Sequence, residues 1–217
     1  MKEIKIRTTP EPTLRRLPRY YHLLLRLKER GINDVSSTVI AKELDLDPTQ
    51  VRKDIEYTEI IGRPKTGYNI SDLIKSIRTF LSWDTNSNAV LVGTGSLGTA
   101  MLGYKNFSKY GLNFIAAFDI KKELIGKEIH GVKVYNFNDL KEIIEKDKVT
   151  IGVLAVPVEA AQEAADKMIK GGIKAIWNYA PCQLKVDNSI LVENAQLSQS
   201  LAVLTRKITE LYLKESL

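Results

Sequence analysis

Cysteine and histidine are almost absent from this chain. Cys182 is the single cysteine, and His22 and His130 are the two histidines among 217 residues. One thiol excludes an intramolecular disulfide framework and any thiolate-rich metal centre. Two histidines give no basis for a histidine-ligated zinc site, so no metal is expected. No apolar run approaches the ~18 residues needed to span a bilayer, and no membrane partner is expected. Residues 1–16 mix Lys2, Glu3, Lys5 and Arg7 with two prolines and contain no apolar core. That pattern predicts no secretory leader and a cytoplasmic protein. Internal repeats and low-complexity tracts are missing as well. The remaining composition, 44% hydrophobic and 27% charged, supplies enough apolar material for a core and argues against disorder.

The length suits one large domain or two small ones. The net charge is +6, and residues 1–84 carry most of it, with 16 Lys and Arg against 12 Asp and Glu. A basic N-terminal part raises nucleic acid as a partner without establishing it. The stretch Ser82-Trp83-Asp84-Thr85-Asn86-Ser87-Asn88 is polar and turn-rich. Helical patterns precede it. Short β-branched runs alternating with amphipathic segments follow it, the pattern of βαβ units. The expected division is residues 1–84, residues 85–194 and a C-terminal helical segment over residues 195–217.

In the first part Pro18 is expected to open a helix, because its missing N–H has no partner there anyway. Leu17, Tyr21, Leu24 and Leu25 recur at helical spacing, and Gly31 fits a C-terminal stop. Ser36 or Ser37 caps a second short helix through Leu44. After the turn at Asp45-Leu46-Asp47, Asp47 caps a third helix with Pro48 at its first position. Val51 and Ile55 face inward on it, leaving Gln50, Arg52, Lys53 and Glu56 outward. Arg can bond guanine bidentately, Gln can read adenine and Lys neutralises phosphate, although a charged helix face is often merely solvated. Asp45 stands where such turns often carry Gly. The turn Gly62-Arg63-Pro64-Lys65-Thr66-Gly67-Tyr68 reads as the wing of a winged helix-turn-helix, with Arg63 and Lys65 toward DNA. A fourth helix is expected over residues 71–83.

The second part opens on a buried strand, Ala89-Val90-Leu91-Val92, followed by Gly93-Thr94-Gly95-Ser96-Leu97-Gly98 and a helix to about Phe107. Phe114-Ile115-Ala116-Ala117-Phe118 forms the next strand and ends at Asp119. Further strands are expected at 133–135, 150–155, 174–177 and 190–192, with helices near 138–146 and 158–170. The fold class is α/β: a Rossmann-type, doubly wound, mostly parallel sheet. Asp119 lies 21 residues after Gly98, close to the usual spacing of a dinucleotide fingerprint. Gly93 permits the tight turn, Gly95 lets the backbone approach a pyrophosphate, and Gly98 allows close helix–strand packing. Asp119 accepts from the adenosine ribose hydroxyls and repels a 2′-phosphate, favouring NAD over NADP; Lys121 and Lys122 soften that preference. A glycine-rich turn without a ligand is the bland alternative.

In the last segment Leu197, Leu201, Leu204, Ile208 and Leu211 are spaced 4, 3, 4 and 3. That seam packs either on its own sheet or on a partner subunit. Elsewhere, His22 suits a helix surface and His130 a loop. Cys182 has no downstream His to activate it. Ser96 is not a nucleophile-elbow serine, because position 94 is Thr. A small NAD-dependent oxidoreductase with a helical N-terminal domain is the rival function. Against it, residues 89–193 barely suffice for the nucleotide domain, and no convincing acid/base pair is in sight. A DNA-binding dimer with a vestigial Rossmann domain is a third reading.

The chain resembles the Rex family of bacterial redox-sensing transcriptional repressors from about Pro10 to Leu213. The resemblance is carried by Arg16-Leu17-Pro18-Arg19-Tyr20-Tyr21, Gln50-Val51-Arg52-Lys53-Asp54, Gly67-Tyr68, the glycine loop from Val92 and Ala116-Ala117-Phe118-Asp119. It continues through Val156-Pro157 with Ala161-Gln162 and Ile176-Trp177-Asn178-Tyr179-Ala180-Pro181. It implies a homodimer of winged-helix and Rossmann domains with the C-terminal helix exchanged between subunits. It also implies binding of an inverted-repeat operator when the NADH/NAD ratio is low, and release by NADH, without enzymatic activity. Tyr104, Val156, Pro157, Ala180 and Pro181 are implied near the nicotinamide, and Arg16 among the DNA-binding residues. One departure stands out: Gln196 occupies a position where the family typically carries an acidic residue thought to help couple the nicotinamide to the DNA-binding domain.

Overall fold

The computed structural model describes residues 8–215. Residues 1–7, part of the stretch read for a leader, and the last two residues of the C-terminal segment lie outside the described residues. The chain divides into two compact units, Met1–Thr85 and Asn86–Leu217.

The N-terminal unit contains helices α1 (Glu11–Glu29), α2 (Ser37–Leu44), α3 (Pro48–Glu56) and α4 (Ile70–Phe80). It also holds a two-stranded ribbon of β1 (Asp34–Val35) and β2 (Tyr68–Asn69), paired antiparallel. Helix α1 starts seven residues before the expected Pro18. Pro12 and Glu11 occupy its first turn, leaving Pro18 inside the helix. An interior proline removes one i→i−4 hydrogen bond. Here the helix is held by tertiary burial, with Leu17, Tyr20, Leu23 and Leu24 at most 2% exposed. Ser36 caps α2 by accepting from the Val39 N–H, and Asp47 caps α3 by accepting from Thr49 and Gln50. Asp45 between them takes the left-handed conformation at φ 54°, which is why a glycine is common at such a turn. Ala41 is buried, which suits a small side chain beneath α3. Arg63 and Gly67 bridge antiparallel, so Pro64, Lys65 and Thr66 form the tip of the wing.

The C-terminal unit is a seven-stranded sheet. Its strands are β3 (Ser87–Val92), β4 (Leu112–Asp119), β5 (Glu128–Ile129), β6 (Val132–Asn136), β7 (Ile151–Leu154), β8 (Ala175–Asn178) and β9 (Leu191–Asn194). They lie in the order β5-β6-β4-β3-β7-β8-β9, parallel throughout except for β5 against β6. Without the short edge strand β5, this is the 3-2-1-4-5-6 order of a dinucleotide-type sheet, with its switch point between β3 and β7. Helices α5 (Ser96–Leu102) and α6 (Asn106–Lys109) cover one face, and α7 (Leu140–Asp147) and α8 (Val158–Gly171) the other. The strands alternate accordingly: Val90 and Val92 pack with α7 and α8, and Leu91 packs with α5.

Helix α9 (Leu197–Glu215) ends the chain. Its seam does not pack on its own sheet: Leu197, Leu201, Leu204, Ile208 and Leu211 are all 46–72% exposed. No helix among the described residues is long and apolar enough to cross a membrane.

Candidate functional site

At the carboxyl ends of β3, β4 and β7 the C-terminal unit opens a cleft of about 390 Å³. Such a crevice, at a switch point in strand order, is where open α/β sheets hold ligands. Of the residues expected to bind the cofactor, Gly93, Gly95, Asp119, Lys121, Val156 and Pro157 line it. The three fingerprint glycines serve different ends. Gly93 has φ +95°, and a Cβ there would collide with the Ala155 carbonyl oxygen. At Gly98 a Cβ would collide with the Gly93 carbonyl oxygen. Both are therefore dictated by the protein's own packing. Gly95 is different. Its φ of −67° is open to any residue, and a Cβ would meet nothing within 4 Å. The open space beside its backbone leaves room for something that enters the cleft. Ser96 and Leu97 follow it in the first turn of α5, whose leading N–H groups have no intrahelical partner.

Asp119 sits at the end of β4, with both carboxylate oxygens engaged. Oδ2 accepts from the Thr94 N–H at 2.8 Å and the Thr94 hydroxyl at 2.6 Å. Oδ1 accepts from Ile120 N at 2.8 Å and Lys121 N at 3.0 Å. Burial alone pushes the carboxyl upward. The donated hydrogen bonds, those of Thr94 first, outweigh it and hold Asp119 below the usual carboxylate range. Asp119 is thus a fixed, ionised acceptor. Thr94 is buried behind it and orients it without lining the cleft.

Tyr104, Ala180 and Pro181 are not brought into this cleft. The Tyr104 ring is 47% exposed and packs edge-on against Phe107 at 4.9 Å. Ala180 is buried and its N–H donates to Asn178 Oδ1. Phe107, Trp177 and Tyr179 continue the aromatic row from Tyr104. The cleft also contains residues that the fingerprint does not announce: Ile120, Phe137, Ala160, Glu163 and Ala164. The available signal was the spacing of Ala160, Glu163 and Ala164 on one face of α8, directly after Val156-Pro157.

In the N-terminal unit, Gln50, Arg52 and Lys53 are exposed on α3, and Arg63 and Lys65 on the wing. Arg16 is placed differently. Its guanidinium binds Asp54 of α3, Nε to Oδ2 at 2.6 Å and Nη2 to Oδ1 at 2.8 Å, and its side chain is only 17% exposed. With the Gln50 amide oxygen turned toward Arg16, Nη1 and Nη2 lie 3.3 and 3.2 Å from it. Asp54 is 2% exposed and also accepts from Thr13 Oγ1 at 2.9 Å and the Tyr20 hydroxyl at 2.6 Å. This cluster fixes α3 on α1. The sequence gives Asp54 no such role, because its partners lie on α1, far away in the chain.

Fold and site together define a chain that joins a winged-helix unit to a Rossmann unit of the dinucleotide-binding type. Comparison with known proteins narrows the class. Residues 8–55 match the family described as "Putative DNA-binding protein N-terminus", and residues 84–182 match "CoA binding domain". The redox-sensing transcriptional repressor Rex of Treponema denticola is 44% identical over 193 residues, covering 89% of this chain and 92% of that protein. The crystal structure of RSP, a Rex-family repressor, in complex with β-NAD+ and operator DNA has a TM-score of 0.89 at 32% identity, over 97% of both chains. RSP in complex with β-NADH gives a TM-score of 0.88, over 97% of this chain and 99% of that one. The chain belongs to the Rex family of redox-sensing transcriptional repressors. These curated relatives are named as transcriptional repressors.

Proposed function

We propose that this chain is a repressor that binds operator DNA through residues 1–84 and NAD(H) through residues 85–194, and that NADH releases it from DNA. One feature carries the proposal: Gly95 is a glycine that the fold does not need, facing a cleft beside an ionised Asp119. The pyrophosphate lies against Gly95 and the first turn of α5, where N–H donors and the helix dipole favour an anion. Asp119 receives the adenosine ribose, with Lys121 beside it, and Gly93, Ser96, Leu97 and Gly98 shape the loop. Val156 and Pro157 border the nicotinamide. Tyr104, Ala180 and Pro181 belong to the nicotinamide end in this reading.

On the DNA side, Arg52 and Gln50 read base edges, Lys53 neutralises phosphate, and Arg63 and Lys65 follow the backbone from the wing. Arg16 works from behind, through its bond to Asp54. Helix α9 is the dimerisation element, exchanged between subunits. Its exposed seam of five apolar residues supports this, because a monomer gains nothing from leaving it in water. A two-fold dimer implies an inverted-repeat operator, and the protein works in the cytoplasm with that DNA. The test is one preparation examined for both ligands: calorimetry with NADH and NAD+, and selection of duplexes from random DNA. Absence of dinucleotide binding, or selection of asymmetric single sites, overturns it.

A further inference from the structure

The cleft has lining residues to which the pyrophosphate and ribose assignments give no role. A dinucleotide laid along the loop, with its phosphates at Gly95 and its adenosine ribose at Asp119, sends its base toward them. They include Ile120, Phe137, Ala160 and Ala164, a set of apolar surfaces fit for a flat heterocycle. Besides Asp119, the one acid among the lining residues is Glu163, in the second turn of α8.

Glu163 has no partner within the described residues. The cation placed to neutralise it is Lys167, four positions on along the same helix, the spacing at which Glu and Lys ordinarily pair. Lys167 is drawn elsewhere. Its Nζ is 3.2 Å from Asn138 Oδ1 and 4.3 Å from the centre of the Phe137 ring. The one cation that lines the cleft, Lys121, forms no ion pair with Glu163. A glutamate carboxylate only accepts hydrogen bonds, so Glu163 offers the cleft an acceptor for a donor on a ligand. Among nucleobase edges, the 6-amino group of adenine supplies one. A 6-oxo purine presents an acceptor at the same place.

We infer that Glu163 is the residue that selects the base of the dinucleotide, accepting from the adenine 6-amino group and disfavouring a 6-oxo purine. The inference rests on the NAD(H) assignment and goes one residue beyond it. The experiment measures NADH and reduced nicotinamide hypoxanthine dinucleotide by calorimetry against the wild-type protein, E163Q and E163A. Glu163 is solvent-exposed on α8, so neither substitution disturbs the core. Wild type is expected to prefer the adenine form by about tenfold, the scale of one hydrogen bond to a charged group. In E163Q the amide accepts from a 6-amino group and donates to a 6-oxo group, so the preference falls to within about threefold, chiefly through tighter binding of the hypoxanthine form. E163A loses the preference by weakening the adenine form. A residue that merely supports α8 lowers both affinities together and leaves their ratio alone. Equal wild-type affinities, or an unchanged ratio in E163Q, overturn the role of Glu163 while the cofactor assignment stands. Failure of wild type to bind either dinucleotide overturns both.

Discussion

Replacing Gly95 by valine should separate ligand binding from folding, because the protein places nothing within 4 Å of a Cβ there. The backbone at Gly95 has φ −67°, so no strain follows from adding a Cβ, and no atom lies within 4 Å of it. The residue is the N-cap of α5, where Gly is better than Val, so a stability cost of about 1 kcal/mol is the upper end. The cost to the ligand is larger. Three added carbons occupy the space of the pyrophosphate, and overpacking of that kind costs ~1–3 kcal/mol. Displaced phosphates also lose hydrogen bonds from the α5 N–H groups, worth ~1.5–3 kcal/mol each for a charged partner. A combined loss of roughly 3 kcal/mol or more weakens NADH binding by at least about a hundredfold. Calorimetry with NADH, thermal unfolding by circular dichroism and operator binding without nucleotide give the three readouts. Gly95→Val should lose the first and keep the other two. Gly98→Ala is the contrasting control. Its Cβ collides with the Gly93 carbonyl oxygen, so it should lower the melting temperature as well as NADH affinity. A folded Gly95→Val protein with wild-type NADH affinity refutes the reasoning.

Asp119→Ala should weaken NAD(H) by ~1.5–3 kcal/mol in calorimetry if the ribose bonds a charged acceptor, and an unchanged dissociation constant means that the ribose is held elsewhere. Asp54→Ala strands Arg16, Thr13 and Tyr20 together and should cost about 3–5 kcal/mol in urea unfolding of the N-terminal unit. Burial raises the Asp54 carboxyl, but bonds from Arg16, Tyr20 and Thr13 bring it below its usual range. Its stabilisation is therefore full above the ordinary value of about 3.9 and is lost as pH falls through the lower folded value. Acid titration of Asp54→Asn should show a smaller loss there than wild type, and equal losses contradict the cluster's role. Arg52→Ala should cost ~1–3 kcal/mol, mostly against the specific operator, whereas Lys53→Ala should weaken all duplexes alike and flatten the salt dependence. Anisotropy at two salt concentrations distinguishes the two behaviours.

The local signals in the sequence were those with a short-range cause. Ser36, Asp47 and Pro48 mark helix starts because capping is settled within three residues, and α2 and α3 begin where these residues put them. Pro18 misled for the same reason. Pro12, not Pro18, occupies the first turn of α1, and burial of Leu17, Tyr20 and Tyr21 holds Pro18 inside the helix. The strands of the Rossmann sheet were legible from their β-branched runs. The edge pairing of β5 with β6 was not, since two residues carry no period. The fingerprint glycines and Asp119 could be read because their spacing reflects a single strand–loop–helix unit. Glu163 and Phe137 come from elements far along the chain and meet only through the parallel crossovers. The Asp54 cluster was hidden likewise: its partners lie 34, 38 and 41 residues away, on α1.

The central claim is that the nucleotide's redox state sets the affinity for DNA. A ligand shifts a two-state protein only by its differential affinity for the two states. NAD+ and NADH share every contact except those at the nicotinamide, where the oxidised ring brings a positive charge into an apolar site. Each tenfold change in operator affinity needs about 1.4 kcal/mol of coupling. If Gln196 does that coupling where the family carries a carboxylate, the contact is uncharged and Gln196→Asp should sharpen it. Fluorescence anisotropy of a labelled inverted-repeat operator, with saturating NADH, with saturating NAD+ and with neither, measures the coupling directly in both proteins. NADH should lower operator affinity relative to NAD+ in wild type, and by a larger factor in Gln196→Asp. Identical affinity under all three conditions in wild type contradicts redox sensing, even if both ligands bind.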